Sequence, residues 1–286
     1  MPSSIASVTP SPTTAPPPTL TLTTPAPTIA APATEPTELS VTEACTSRVG
    51  TVESVSIPSP DTGPIRARIY LPPCYAGHRE RRYPVLYLLH GRGFAEDQWE
   101  RLGAVAGADE LIAAGEIAPL LIVMPRDPGE RFDPALVEAV IPYVDSTYRT
   151  VAERAARAIG GLSRGGGWAV HFGLKYAETF GRLGLHSPAV FYDDEYNILE
   201  WSRRLRDRPK PAVYLDVGEG DGSRHSSAWL DQVFTWFDFR HTYIVRPGGH
   251  TERYWAGHVR EYLKFYAADW REATWNTERD AAEPAP

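Results

Sequence analysis

Arg157-Ala158-Ile159-Gly160-Gly161-Leu162-Ser163-Arg164-Gly165-Gly166-Gly167-Trp168 is the stretch on which the fold turns. Its first half is a short apolar run and its second half opens a helical pattern. Between them, Gly161-Leu162-Ser163-Arg164-Gly165 fits G-x-S-x-G. A serine held on a sharp turn between strand and helix needs neighbours without side chains, because the chain crosses itself too closely there for a Cβ. That turn lifts the hydroxyl clear of the sheet, so the stretch predicts a β-strand, a nucleophile and a helix in succession.

The same alternation extends outward in both directions. Strand-like runs occupy 52–57, 65–71, 85–90, 120–124, 157–162, 183–186, 212–217 and 242–245. Amphipathic helical patterns fill 134–148, 166–176, 196–205, 228–237 and 254–270. The first two runs alternate and lie close together, which suits an antiparallel hairpin. The later ones are continuously apolar and separated by helices, which suits buried parallel strands joined by crossovers. The expected fold is α/β and doubly wound, with a mostly parallel eight-stranded sheet. The connection from His186 to Ala212 is too short to hold a lid domain.

A serine hydroxyl is a weak nucleophile at neutral pH and needs a base, which in turn needs a carboxylate to fix its tautomer. On this fold the chain order is serine, acid, histidine. Gly218-Glu219-Gly220-Asp221-Gly222 follows the run at 212–217, and Arg246-Pro247-Gly248-Gly249-His250 follows the run at 242–245. Both loops sit at carboxyl ends of strands, where open α/β sheets assemble their sites. Asp221 is the expected acid, with Glu219 the alternative, and His250 is the expected base. Asp216 lies within its strand and is a poorer candidate. Oxyanion donors are expected from the backbone N–H of Arg164, directly after the serine, and of Arg92 in the loop His90-Gly91-Arg92-Gly93, with Gly91 the alternative. Gly91, Phe94, Trp99 and Trp255 are the expected substrate contacts. Trp168, Tyr192, Trp201 and Trp229 are further aromatic candidates, and Arg92 and Arg164 are expected to bring positive charge to the mouth.

Four blocks resemble the family of α/β hydrolases named "Putative esterase". They are Tyr83-Pro84-Val85-Leu86-Tyr87-Leu88-Leu89-His90-Gly91, Ile141-Pro142-Tyr143-Val144-Asp145, Ile159-Gly160-Gly161-Leu162-Ser163-Arg164-Gly165-Gly166, and Pro247-Gly248-Gly249-His250 with Trp255. That family includes feruloyl esterases, siderophore esterases, S-formylglutathione hydrolases and mycolyltransferases. The resemblance spans residues 50 to 270 and implies a serine carboxylesterase with Ser163, Asp221 and His250 as its triad. Many relatives carry an aromatic residue two places after the histidine, where this chain has Glu252. Acyl transfer to an alcohol, as in mycolyltransferases, and a non-catalytic surface-binding protein on the same scaffold are the alternatives.

Composition narrows the partners. The chain of 286 residues carries 29 Lys+Arg against 36 Asp+Glu, net -7, the wrong sign for a surface built to hold nucleic acid. No apolar run approaches the roughly 18 residues of a transmembrane helix. Nothing suggests a cofactor: Gly160 to Gly167 lacks the Lys-Ser/Thr pair of a phosphate loop, and His250 and His258 are too isolated for a metal site. The expected partner is a small-molecule or polymer-linked ester in an open cleft.

Residues 1–44 hold 10 of the 27 prolines and 11 threonines, with no Lys or Arg. Such a stretch cannot bury enough apolar surface to offset its chain entropy, so it is expected to be a disordered spacer. The catalytic domain is expected at 45–275 and a loose tail at 276–286. A spacer of this kind points to a secreted or surface-anchored protein whose signal has been removed, with a cytoplasmic tail as the alternative. A Cys45–Cys74 bridge would tie the chain's entry to the domain edge, worth about 3 kcal/mol in the chain-entropy model, and would require an oxidising compartment.

Overall fold

In the computed structural model, which describes residues 45–129 and 131–270, burial follows hydrophobic period strand by strand. The expected spacer at 1–44 and tail at 276–286 lie outside the described residues. β1 (Thr51–Ile57) is half exposed and β2 (Ile65–Leu71) alternates before its buried end, as an edge hairpin should. β3 (Val85–Leu89), β4 (Leu121–Pro125), β5 (Arg157–Leu162) and β6 (Arg182–His186) are buried at every position, as strands covered on both faces must be. β7 (Ala212–Gly218) is buried after its first residue, and β8 (His241–Arg246) closes the far edge. The eight strands run in the order β1-β2-β4-β3-β5-β6-β7-β8. β1 pairs antiparallel with β2, and β2 antiparallel with β4. All other pairs are parallel.

Two layers of helices cover the sheet. The face carrying Leu86, Leu88, Ile122, Met124 and Ala158 is closed by α1 (Gln98–Arg101), α2 (Ala104–Ala113) and α8 (Glu252–Tyr266). The opposite face, carrying Val85, Tyr87, Val123, Ile159 and Leu185, is closed by the remaining helices. These are α3 (Phe132–Ala135), which passes through a π-helical turn at Leu136–Val140 into α4 (Ile141–Thr147), then α5 (Arg164–Lys175), α6 (Asp194–Arg204) and α7 (Arg224–Trp236). Each side chain of Leu or Ile size that leaves water in these layers contributes about 2 kcal/mol. The widened turn directly precedes Pro142, which has no N–H to return to the turn before it. The pattern at 254–270 begins two residues early, at Glu252, because Thr251 caps the helix by accepting from the Tyr254 N–H at 3.3 Å. α1 and α2 are additions to the expected set; Ala-rich Ala104–Ala113 has too little polar contrast to advertise its period.

Beneath the carboxyl ends of β6 and β7 lies a buried polar knot. Asp216 on β7 accepts from His186 Nδ1 at 2.7 Å and from the hydroxyls of Tyr254 and Tyr262 at 2.8 and 2.7 Å. Tyr266 donates to His186 Nε2 at 2.9 Å. Burial and the neighbouring Asp216 push the Tyr254 and Tyr262 hydroxyls far above their ordinary range, so they stay protonated donors. The knot pins α8, and therefore the loop that precedes it, to β6 and β7. Cys45 and Cys74 are joined in a disulfide with Cα atoms 5.6 Å apart. Cys74 follows β2, whose last paired residue on β4 is Tyr70 opposite Ile122, so the bridge lies at the amino-terminal end of the parallel strands. Among the described residues, no helix is long and apolar enough to cross a membrane.

Candidate active site

Ser163 sits between β5 and α5 with φ 54 and ψ -119, a conformation that costs an L-residue energy and persists only where its surroundings enforce it. The enforcement is visible. Ser163 donates its N–H to His186 O at 2.9 Å, and its carbonyl accepts from Gly167 and Ala189 at 3.0 and 2.9 Å. A Cβ on Gly161 would lie 2.3 Å from the Gly165 backbone, and one on Gly165 would lie 2.2 Å from Leu89 O. The two glycines of the motif are therefore required by contact.

The acid and base loops reach the serine because they are laced to each other. Glu219 N–H donates to Arg246 O at 2.7 Å and Gly220 N–H to Gly248 O at 2.9 Å. Asp221 is buried, and its Oδ1 accepts from Ser223 N–H at 2.7 Å and from His250 Nδ1–H at 2.9 Å. With Nδ1 carrying the proton, His250 Nε2 is free to accept from Ser163 Oγ, 2.8 Å away. The three side chains form one unbroken relay. Glu219 points to solvent, so the geometry selects Asp221 of the two carboxylates in that loop.

The facing loop is built around His90. Its Nδ1–H donates to Gly91 O at 2.8 Å, and its Nε2 accepts from the Asp127 N–H at 2.9 Å. Burial holds the imidazole below its usual range, which keeps that acceptor available. The Gly91 N–H is taken by Gln98 Oε1 at 2.8 Å. Arg92 N–H has no acceptor among the described residues, and Arg164 N–H opens α5 with no turn before it to receive it. Of the alternatives in the loop, this leaves Arg92 as the free backbone donor. Arg164 Nε donates to Asp127 Oδ2 at 2.7 Å, and Trp168 Nε1 donates to the same oxygen at 2.9 Å. A cavity of about 280 Å³ opens here, lined by His90, Gly91, Arg92, Gly93, Phe94, Arg126, Asp127, Gly129 and Arg164.

Gly91 and Phe94 line that cavity, and Phe94 is 41% exposed. Trp99 does not reach it. It is 1% exposed, donates Nε1–H to Leu89 O at 2.9 Å and packs edge-on against His186, so its expected substrate contact is corrected to a core role. Trp255 is also buried; its ring stands perpendicular to His250 with centroids 4.9 Å apart and its Nε1–H meets Ser187 Oγ at 3.2 Å. It braces the imidazole from behind and does not offer substrate a surface. Trp168 and Trp201 are buried, whereas Tyr192 stands 96% exposed. The sequence reading missed Gln98 and Asp127. Asp127 had a signal, since it lies just past the carboxyl end of β4. Gln98 had none.

Comparison with known proteins follows the same outline. The family model described as "Putative esterase" matches residues 61–135 and 128–271. An endo-1,4-beta-xylanase/feruloyl esterase of Xylanibacter ruminicola is 34% identical over 191 residues, covering 60% of this chain and 25% of that protein. An esterase of Mycobacterium tuberculosis is 31% identical over 155 residues, 49% of this chain and 32% of that protein. The chain thus spans about a quarter to a third of the length of these curated relatives. A solved ferulic acid esterase superposes with TM-score 0.70 at 24% identity, covering 77% of this chain and 99% of that one, which shows a shared fold.

Proposed function

Because the chain belongs to the "Putative esterase" family, we propose that it hydrolyses carboxylic esters through an acyl-enzyme on Ser163. The observation that carries this reading is the relay Asp221–His250–Ser163, with contacts of 2.9 and 2.8 Å, ending on a serine in strained backbone. His250 Nε2 takes the hydroxyl proton as Oγ bonds to the ester carbon, and Asp221 stabilises the imidazolium that forms. The carbonyl oxygen becomes an oxyanion held by the N–H groups of Arg92 and Arg164; one such donor is typically worth about 3 kcal/mol in the transition state. When the tetrahedral adduct collapses, His250 returns the proton to the departing alkoxide, leaving the acyl group on Ser163. Water then repeats the sequence, giving its proton to His250 and releasing the acid.

The substrate class proposed is a bulky or polymer-linked ester of the feruloyl type. Support comes from the exposed His250 side chain, from the exposed Phe94 ring beside the oxyanion loop, and from the feruloyl esterase named among the relatives. A secreted or surface location is part of the same proposal, supported by the Cys45–Cys74 bridge, since such bridges persist in oxidising compartments. A panel of acetyl, aryl, feruloyl and long-chain esters tests the reading. Wild type should turn over aryl or feruloyl esters. Ser163→Ala should lose at least about 10⁴-fold in kcat and Asp221→Asn about 10³ to 10⁴-fold, with Glu219→Gln near wild type. Absence of turnover across the panel would refute it.

A further inference from the structure

The wall of the cavity beside Ser163 carries charge that the described residues do not fully answer. The whole chain is net -7, yet three of the residues lining this cavity are arginines and one, Asp127, is a carboxylate. Each guanidinium can be followed to its partners. Arg164 is partly answered: its Nε meets Asp127 Oδ2 at 2.7 Å, a carboxylate that also accepts from Trp168 and from the Gly129 N–H, while its two terminal nitrogens have no hydrogen bond or ion pair among the described residues. Arg126 reaches Glu96 at 3.5 Å, and Glu96 is shared with Arg66 at 3.1 Å, so one carboxylate answers two guanidiniums. Arg92 is exposed, and its side chain has no ion pair or hydrogen bond among the described residues. The neighbouring Arg101, which lies against the Phe94 ring, is satisfied by Asp97 and Glu252 and adds no open charge.

Solvated surface arginines are common, and on a convex surface these would need no explanation. Three features set these apart. They line a concavity, where walls of low dielectric focus the field of an unanswered charge. That concavity adjoins the two backbone donors assigned to the oxyanion, and one of those donors belongs to Arg92 itself. Lastly, Phe94 is the one apolar side chain larger than glycine on the wall, so the space suits a polar group better than an aliphatic chain.

Resting on the esterase reading above, we propose that this cavity is a carboxylate subsite: the preferred substrates are esters whose non-reacting part carries a carboxylate, gripped by Arg92 and Arg126. A guanidinium offers a planar fork of donors that matches a carboxylate, and the pair also raises the encounter rate with anionic substrate. The carboxylate has two chemical sources, the acyl half as in a half-ester of a diacid, or the alcohol half as in a uronic-acid sugar.

Two matched pairs of esters separate these sources. For the acyl half, the mono-4-nitrophenyl ester of adipic acid is compared with its methyl-capped diester. For the alcohol half, 4-carboxyphenyl butyrate is compared with 4-carbamoylphenyl butyrate. In at least one pair, wild-type kcat/KM favours the carboxylate by about tenfold at low ionic strength, and the preference shrinks severalfold near about 0.5 M salt. Arg92→Gln and Arg126→Gln each lower the ratio of charged to neutral kcat/KM toward unity; the ratio is read because the Arg92 backbone serves both substrates. Turnover of the neutral esters with no carboxylate preference in either pair, or a preference that survives both substitutions, overturns the subsite and leaves the esterase reading standing. No hydrolysis of any of the four overturns the subsite, and overturns the esterase reading as well only when the acetyl, aryl, feruloyl and long-chain panel is also untouched.

Discussion

Gln98 Oε1 accepts the backbone N–H of Gly91 at 2.8 Å, from a side chain with no solvent exposure. The same carboxamide gives Nε2–H to Glu252 Oε1 at 3.1 Å, and Arg101 reaches that carboxylate from outside. Gln98 thus clamps the loop His90-Gly91-Arg92-Gly93 to the first turn of α8, the helix that follows His250. The two segments are held in register by one side chain, and the clamp occupies the Gly91 N–H, whereas the Arg92 N–H has no acceptor among the described residues.

Gln98→Leu keeps the volume and removes both hydrogen bonds. A buried N–H left unpaired costs about 1 to 3 kcal/mol. The loop it anchors also loses its fixed distance from Ser163, so kcat should fall about tenfold or more while KM changes little, because oxyanion contacts strengthen in the transition state. Steady-state kinetics with one ester, alongside a urea unfolding curve, measures both. An unchanged kcat would mean the loop is positioned without the clamp.

Packing beneath the site gives a second expectation. A Cβ on Gly160 would stand 1.6 Å from the Tyr266 hydroxyl, and one on Gly184 would stand 1.9 Å from the same atom. The tyrosine reaches His186 only because both strands are bare at that level. Gly160→Ala should therefore destabilise by about 3 kcal/mol or more, through overpacking and the forced withdrawal of a buried hydroxyl. Chemical denaturation reads this directly; a loss under about 1 kcal/mol would show that α8 can shift outward at little cost.

A third expectation concerns pH. His171 on α5 donates to Asp194 Oδ2 at 2.8 Å and faces Asp133 at 3.5 Å, while Lys175 also pairs with Asp133. Burial alone would lower this imidazole, but the bonds and attraction of Asp133 and Asp194 outweigh it and raise it above its usual value. A group raised on folding contributes stability that is fully present below its unfolded pKa, near about 6.5, and is lost as pH climbs through the folded value. His171→Asn should thus destabilise more at pH 5.5 than at pH 8.5, as urea unfolding curves at the two pH values would read. Equal losses at the two pH values would show that the ring's packing against Trp168 and Trp201, and not its charge, is what matters.

The disulfide supplies a fourth. Cys45 and Cys74 are 29 residues apart, and a loop of that size is worth about 3 to 4 kcal/mol in the chain-entropy model. Because the bridge lies at the end of the sheet away from Ser163, Cys74→Ser should lower the unfolding midpoint and leave kcat within about twofold. A large drop in kcat below the unfolding transition would mean that this edge communicates with the site.

What the sequence disclosed follows from where short-range chemistry decides. Within the turn at Gly161–Gly165, Gly161 is required by the Gly165 backbone four positions on, which motif reading reached, whereas Gly165 is required by Leu89 O on a strand distant in the chain. The order of serine, acid and histidine follows from the fold once the strands are recognised. The choice of Asp221 over Glu219 rested on loop glycines and depends in fact on lacing between Gly220 and Gly248, residues far apart in the chain. Trp99 and Trp255 were misjudged because an indole beside a glycine-rich loop looks the same whether it lines a cleft or plugs the layer under it. Gln98 was invisible for a related reason: its partners, Gly91 and Glu252, are separated from each other by most of the domain.

Labelling with a fluorophosphonate, read by intact mass and peptide mapping, tests the central claim most directly, because the reagent reports an activated serine without any assumption about substrate. Wild type should gain one phosphonyl adduct, mapped to Ser163, at a rate that falls at least about 10³-fold in His250→Ala, with no adduct in Ser163→Ala. An unmodified wild type, or an adduct that forms equally fast without His250, would contradict the account.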